Sequence, residues 1–305
     1  MQDSLSPYAG SDDGLFDVEH SADVVNARID DRVSPRLAEV MRIVTRHAHA
    51  AVKEAALTSD EWMTAIQFLT ETGHMSTAWR QEFILLSDVL GISMLVDGLN
   101  HQRPIGASEN TVLGPFHIAD APRLQHGDTI SLDAKGEPTL VLGKVTDTAG
   151  RPVVGASLDV WQANDDGFYD VQQPDVQPKW NLRGIFETDN DGQYWFKSVK
   201  PRYYPIPDDG PVGKMLAKLG RHPNRPAHLH FIVDAPGYET VVTHIFTPDC
   251  PYLREDAVFG VKRSLIADFQ HIEDAAEQER YGFTGPFWKV ECDFVLVASG
   301  NPSEC

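Results

Sequence analysis

The spacing of apolar residues changes near residue 100, and this change constrains the fold more than any other feature of the chain. Before it, apolar side chains recur at intervals of three and four, as in Leu37, Val40, Met41 and Val44, which is the spacing of one helix face. After it, glycine and proline are frequent and short runs alternate between apolar and polar residues, which is typical of strands separated by turns. One chain therefore combines a helical half with a β half.

We predict an α+β protein with a helical N-terminal domain over residues 1–105 and an antiparallel β-sandwich over residues 106–305. About three helices are expected in the first domain, one of them starting at the capping-box sequence 58–61, Thr-Ser-Asp-Glu. The clearest strand patterns lie at residues 140–145, 157–161 and 228–233.

The stretch 201–225 shows neither periodicity. We expect it to be irregular, and long loops without structure of their own are usually functional.

The charge balance excludes several classes of partner. Asp and Glu number 45 against 26 Lys and Arg, a net charge of −19, which opposes contact with nucleic-acid phosphates and anionic membranes. No apolar run approaches the roughly 20 residues that span a bilayer, and the acidic start of the chain does not resemble a secretory signal. The sequence thus predicts a soluble, cytoplasmic protein without a nucleic-acid or membrane partner.

Two histidines in one strand pattern are candidate metal ligands. His228 and His230 alternate with the apolar Leu229 and Phe231, so both imidazoles share one face, about 7 Å apart at the backbone. One metal ion can bridge that interval, although a pair of structural histidines remains the alternative. The three cysteines are too widely spaced for a zinc motif, so any metal needs other ligands.

Two tyrosines, Tyr169 and Tyr204, lie in segments that precede this strand. Taken singly, each is more often a half-buried aromatic side chain than a metal ligand.

Taken together, Tyr169, Tyr204, Arg225, His228 and His230 resemble the intradiol catecholic dioxygenases, whose ferric iron is bound by two tyrosinates and two histidines. The resemblance covers nearly the whole chain, and its strongest segments are 160–164, 167–169, 204–211 and 225–231. It implies one Fe(3+) per subunit and a homodimer formed through the helical domain, with a bound lipid at the helical interface as a further possibility to test. Ferric iron is a hard cation that phenolate oxygen suits.

The resemblance also implies roles for these residues. An aromatic diol would bind the iron through both oxygens and displace Tyr204, which then accepts a substrate proton, while Tyr169, His228 and His230 stay in place. Arg225 would offer positive charge to the electron-rich ring. Reaction with O2 would open the ring to a muconate.

A substrate pocket is carried over from the same resemblance, and most of its positions are apolar, as an aromatic ring requires. They are Leu85, Asp88, Val112, Leu113, Gly114, Pro115, Phe116, Ile206, Pro207, Arg225 and Val258. Asp88 is the acidic exception, on a predicted helix face with Ile84, Leu85 and Ile92. An acid here resembles the branch of the family that cleaves hydroxyquinol, 1,2,4-trihydroxybenzene, to a hydroxymuconate or maleylacetate.

Other interpretations remain open. The segment 204–211 also occurs in the chlorocatechol branch, so cleavage of catechol or chlorocatechol is an alternative. His244 stands where simple catechol dioxygenases have a glutamine, and with His228 and His230 it would suit a three-histidine zinc hydrolase. The segments 143–147, 155–157 and 188–194 resemble prealbumin-like sandwich repeats, which also occur in non-enzymatic binding modules.

Overall fold

The computed structural model describes residues 15–77 and 80–300. The chain divides into two compact units, one ending at Glu71 and the other beginning at Thr72. The domain boundary predicted at residue 105 stays a prediction.

Helices dominate the part of the chain before residue 101. They are α1 (Ser21–Asn26), α2 (Pro35–Glu54), α3 (Ser59–Met75), α4 (Glu82–Val89) and α5 (Ile92–Asn100). The capping box predicted at 58–61 is confirmed, since the Glu61 carboxylate accepts the Thr58 backbone N–H and the Thr58 hydroxyl oxygen accepts the Glu61 N–H. Among the described residues, no helix is long and apolar enough to cross a membrane.

Two large sheets and a two-stranded one follow, and with the helices before them they confirm the α+β organisation. The strands are β1 (Pro138–Asp147), β2 (Ser157–Gln162), β3 (Arg183–Glu187), β4 (Gln193–Val199), β5 (Tyr204–Pro205), β6 (Asn224–Arg225), β7 (His228–Asp234), β8 (Val241–Phe246), β9 (Phe269–Ile272), β10 (Phe287–Glu291) and β11 (Phe294–Leu296). The three strands expected from alternation correspond to β1, β2 and β7. One sheet joins β3, β2, β7 and β8 in that order, and the other is built around β1 with β4, β9, β10 and β11.

Not every pairing in the sandwich is antiparallel. β1 runs antiparallel to β4 but parallel to β10 and β11. Parallel neighbours require a long crossover, and here almost the whole domain intervenes between β1 and β10. Alternation within single strands cannot reveal such a pairing, because it reports burial and not strand direction.

The hydrophobic core lies between the two sheets. Each sheet directs alternate side chains inward, so Val141 and Phe196 of one face Leu158, Leu229 and Phe231 of the other in a single buried cluster. The side chains of Leu229 and Phe231 are fully buried. Both histidines of β7 therefore project from the opposite face of their sheet, away from this core.

The stretch 201–225, expected to be irregular, contains a helix. In it, α6 (Pro211–Lys218) has proline at its first turn, where the missing N–H costs nothing. The buried carboxylate of Glu82 accepts the N–H of Val212, which satisfies one of the free donors at that helix end. A further helix, α7 (Ala275–Tyr281), follows β9.

Candidate active site

Short strand pairings bring the predicted ligands to one place. Tyr204 in β5 pairs directly with Arg225 in β6, and two residues separate Arg225 from His228, where β7 begins. In the four-stranded sheet, His230 lies between Trp161 on one neighbouring strand and His244 on the other. Sheet register thus places residues from five strands around one point.

The four predicted ligands converge and are buried. Tyr169, Tyr204, His228 and His230 are each at most 3% exposed. The Tyr169 hydroxyl lies 2.9 Å from Nε2 of His230, and the Nε2 atoms of His228 and His230 are 3.1 Å apart. The rings of Tyr169 and Tyr204 meet edge-on, with centroids 5.3 Å apart.

Hydrogen bonding and burial prepare the two imidazoles to bind a cation. His228 donates its Nδ1–H to the carbonyl of Pro226, 2.6 Å away, so its Nε2 keeps the lone pair that a metal requires. Burial lowers the pKa of His228 and of His230 well below the usual value, and the neighbouring positive charges add to this effect. Both rings are therefore neutral near pH 7.

The phenol of Tyr169 carries the opposite shift. Burial, and after it the charge of Tyr204, raises the pKa of Tyr169 well above its ordinary value. This phenol therefore ionises only beside a strong positive charge. Two phenol oxygens and two imidazole nitrogens form a hard, oxygen-containing donor set, which fits ferric iron better than the nitrogen- and sulfur-preferring zinc ion.

Arg225 is buried beside these ligands and held by an acid that sequence reasoning missed. Its Nη1 lies 3.4 Å from the Tyr204 hydroxyl and 3.5 Å from Nε2 of His228. Its Nε lies 3.3 Å from a carboxylate oxygen of Asp256. Burial opposes the positive charge, but Asp256 and the two tyrosine oxygens outweigh it and raise the pKa of Arg225. The guanidinium is thus permanently charged.

Asp256 also shapes the loop that carries Val258. Its two carboxylate oxygens accept the backbone N–H groups of Val258 and Gly260. A side chain on Gly260 would place its Cβ 3.0 Å from Nη2 of Arg225, so glycine there leaves space for the guanidinium. The one sequence signal that could have identified Asp256 is its position two residues before Val258, a predicted pocket residue.

Asp88 faces the same charges. Burial raises the pKa of its carboxyl, while a hydrogen bond from Ser93 and the attraction of Arg225 partly offset that effect, and Asp256 repels it. The helical position predicted for Asp88 is confirmed, since it lies in α4. The predicted helix face shared with Ile92 is wrong, because α4 ends at Val89 and Ile92 begins α5 after Gly91, whose φ is +72°. The carboxyl therefore lies within electrostatic reach of the Arg225 guanidinium.

The other predicted pocket residues differ in their placement. Phe116 stacks on Tyr169 with ring centroids 4.6 Å apart, and Gly114, with φ of +77°, lies where a Cβ would come 3.1 Å from the His230 ring. Ile206 and Val258 are buried. The remaining positions are half-buried or exposed: Leu85, Val112 and Pro207 are half-buried, and Leu113 and Pro115 are exposed.

A third histidine lies against the ligand pair. The rings of His244 and His230 have centroids 4.3 Å apart, and candidate ligand atoms of His228, His230 and His244 all lie within 4.8 Å of one another. Nδ1 of His244 is 2.5 Å from the Thr111 hydroxyl, whereas its Nε2 has no hydrogen-bond partner within residues 15–77 and 80–300. Geometry alone therefore leaves open a metal site with three histidines.

Two further supports of the site came only with the structure. Trp161 stacks on the His230 ring, with centroids 4.5 Å apart and an angle of 11°. Behind Tyr169, the buried pair of Asp170 and Arg183 joins at 2.7 Å, and Arg183 also donates to the Phe116 carbonyl. The first contact orients the ring of His230, and the second fixes the backbone and the stacked Phe116 beside Tyr169.

Comparison with known proteins decides the family. A model described as "Dioxygenase" matches residues 112–296, and one described as "Catechol dioxygenase N terminus" matches residues 34–108. The chain belongs to the intradiol ring-cleavage dioxygenases.

Among its relatives in this family, the hydroxyquinol 1,2-dioxygenase of Rhizobium sp. (strain MTP-10005) is 62% identical over 94% of this chain and 97% of its own length. The solved hydroxyquinol 1,2-dioxygenase from Pseudomonas putida DLL-E4 aligns with a TM-score of 0.88 at 46% identity, over 92% of this chain and 99% of that one. The catechol 1,2-dioxygenase from Pseudomonas arvilla C-1 gives 0.78 at 29% identity, over 94% and 95%.

Membership in the intradiol dioxygenases makes this protein an oxidoreductase of a family that uses iron. The prealbumin-like segments lie in and around β1 to β4 of its sandwich, so that pattern describes the scaffold. It offers no account of the buried tyrosines and histidines.

Proposed function

We propose that this protein is a hydroxyquinol 1,2-dioxygenase that uses one Fe(3+) per subunit. It would cleave 1,2,4-trihydroxybenzene with O2 between the two adjacent hydroxyl-bearing carbons, giving a hydroxymuconate, the tautomer of maleylacetate. The observation that carries the proposal is the convergence of two phenols, two neutral imidazoles and a buried guanidinium, with the Asp88 carboxyl in reach of that guanidinium. The hydroxyquinol-cleaving relatives support the choice of substrate.

Tyr169, Tyr204, His228 and His230 would hold the iron. When bound, ferric iron supplies a Lewis acid for both oxygens of an ortho-diol and withdraws electron density from the ring so that O2 can react. Tyr204 would give up its place to the incoming diol, and its phenolate oxygen would take one proton from a substrate hydroxyl. Arg225, whose Nη1 lies 3.4 Å from that oxygen, stabilises the phenolate that carries out this step.

Arg225 would also stabilise negative charge on the substrate ring. Its charge is fixed and buried, where electrostatic interactions are stronger than in water. Negative charge that develops on the ring and its oxygens during reaction with O2 is therefore stabilised by a group that needs no reorganisation. Phe116, stacked on Tyr169, would provide an apolar wall for the substrate.

Asp88 would select the substrate by accepting a hydrogen bond from the third hydroxyl of hydroxyquinol. Catechol lacks that hydroxyl and would leave the half-buried carboxyl without its substrate partner, at a cost of about 1–3 kcal/mol. The carboxyl is only half-buried, which favours the lower part of that range, because water retains access to it in either complex.

The test compares kcat/KM for hydroxyquinol, catechol and 4-chlorocatechol by oxygen consumption. Wild type should prefer hydroxyquinol over catechol by about tenfold to a hundredfold. Asp88→Leu, which leaves an unbroken apolar face with Ile84 and Leu85 on α4, should keep its iron and lose most of that preference. A wild type that prefers catechol, or an unchanged ratio in the variant, contradicts the assignment of hydroxyquinol.

A further inference from the structure

Arg221 joins the two parts of the protein that carry the proposed specificity residues. Its Nη1 donates to the carbonyl of Val89 at 2.6 Å, and Nη2 donates to the carbonyl of Ala257 at 3.0 Å. Val89 follows Asp88 at the end of α4, whereas Ala257 lies between Asp256 and Val258. One guanidinium therefore links the backbone beside Asp88 to the backbone beside the partner of Arg225.

Further contacts hold the Arg221 side chain between the end of α4 and the loop 256–260. The Arg221 guanidinium lies over the Phe259 ring at 5.0 Å, and Phe259 in turn lies against Gly91, where a Cβ would come 3.4 Å from the ring. The N–H of Ala257 donates to the carbonyl of Asn224, next to Arg225. The end of α4, the loop 256–260 and β6 are thus tied together around Arg221.

An arginine suits this link better than a lysine would. A guanidinium is planar and presents donors in two directions, whereas a lysine ammonium is a point donor on a flexible stem. The last carbonyls of a helix have no partner within it, so the Val89 carbonyl depends on an outside donor. Arg221 contacts none of the proposed metal ligands in the hydrogen bonds described above.

We propose that Arg221 is a positioning residue for substrate specificity: it fixes the distance of Asp88 from Arg225 and Val258, and through it the preference for a ring with a third hydroxyl. The inference rests on the proposed function, since it assigns Arg221 to the specificity of that same site. Without the link, α4 and the loop 256–260 would separate. Two adjacent oxygens of hydroxyquinol are held beside the proposed iron ligands, so the Asp88 carboxyl would then no longer reach the third hydroxyl of the ring.

The experiment uses Arg221→Lys, Arg221→Gln and the matched control Arg254→Lys, an exposed arginine near the loop 256–260. Each holoenzyme is assayed for kcat/KM with hydroxyquinol and with catechol, and for dissociation constants of both substrates without O2 by calorimetry. Iron content and thermal midpoint are measured on the same preparations. Arg221→Lys should lower the ratio of the two kcat/KM values about tenfold, with the loss in hydroxyquinol binding and with iron content retained, while Arg254→Lys leaves all values unchanged.

A double-mutant cycle separates the inference from the proposed function. If Arg221 acts through Asp88, adding Arg221→Lys to Asp88→Leu should change the ratio by less than twofold. The inference is wrong if the Arg221 variants leave the ratio of the two kcat/KM values unchanged. It is also wrong if they lower kcat/KM equally for both substrates, together with the iron content and the thermal midpoint. A fall in the ratio that is as large in the Asp88→Leu background as in wild type contradicts it as well. A wild type that prefers catechol contradicts the proposed function instead, and the coupling between Arg221 and Asp88 is still measured by the cycle.

Discussion

His228 donates Nδ1–H to the Pro226 carbonyl, and this single bond decides which nitrogen remains free to bind a metal. His230 has no such bond, since its Nδ1 lacks a partner among the described residues, and its orientation comes from stacking on Trp161. The two ligands on β7 are therefore held by different means, one by a hydrogen bond and one by packing.

Replacing either histidine should remove the iron and the colour. The purified protein should absorb in the visible through tyrosinate-to-iron(III) charge transfer. Loss of a residue that only hydrogen-bonds to a metal ligand lowers metal affinity about 10- to 100-fold. His228→Ala and His230→Ala remove a ligand itself, so each should lower the affinity for iron by at least about 100-fold. Metal analysis and absorption spectra check this, with the exposed His271→Ala as control.

Tyr204→Phe should retain part of the iron but lose turnover, because the base for the substrate proton is gone. A colourless wild type that is fully active with zinc would show that the three-histidine interpretation is the correct one.

Asp256 should matter for both stability and turnover. Its carboxylate and the Arg225 guanidinium are 2% and 3% exposed, so Asp256→Asn leaves a buried charge without its partner, at a cost on the order of 3 kcal/mol. Asp249→Asn is the matched control, because the Asp249 carboxylate that pairs with Lys200 is 60% exposed, and a pair with a solvated partner contributes about 0–1 kcal/mol. Thermal unfolding and kcat are the measurements, and equal effects of the two substitutions would contradict a special role for Asp256.

At the scale of elements, Gly143 allows β1 to pass close to the chain between β10 and β11. A Cβ on Gly143 would come 2.0 Å from the carbonyl oxygen of Cys292, which also accepts a hydrogen bond from the Tyr194 hydroxyl. Backbone at such a distance cannot yield as a flexible side chain would.

Gly143→Ala should therefore destabilise the protein by about 3 kcal/mol or more, or prevent folding. Gly98→Ala is the opposite case, since Gly98 is exposed within α5 with nothing near its Cβ position, and should stabilise by about 0.5–1 kcal/mol. Urea unfolding of both variants measures the difference. A Gly143→Ala protein as stable as wild type would show that β1 and the segment at Cys292 separate easily.

At the scale of the whole molecule, we predict a homodimer formed through the helical region. The helices α2 and α3 leave large apolar side chains exposed, among them Leu37, Met41, Trp62 and Ile66, and such faces usually find a partner. Light scattering at micromolar concentration should report twice the chain mass of 33.9 kDa, and a monomer would contradict the prediction. Solvent extraction followed by mass spectrometry tests for the lipid that the family resemblance raised.

Local pattern was enough to predict a large part of this protein. The 3.6-residue and two-residue periods identify helices and strands because each reports which side chains share a face. The alternation of His228 and His230 with Leu229 and Phe231 predicted both a strand and the exclusion of the imidazoles from the core between the sheets, and the capping box at Thr58 predicted a helix start to the residue. These signals lie within a few residues of one another.

Only the tertiary structure showed the parallel pairing of β1 with β10 and β11, the helix α6 within the stretch 201–225, and the partners that orient the site. Asp256 reaches Arg225 from 31 residues away, and Arg221 reaches Val89 from 132 residues away. Composition and periodicity carry no information about such contacts, because they depend on which chain segments meet after folding. Burial then makes them decisive, since a charge or a carbonyl removed from water must find its partner within the protein.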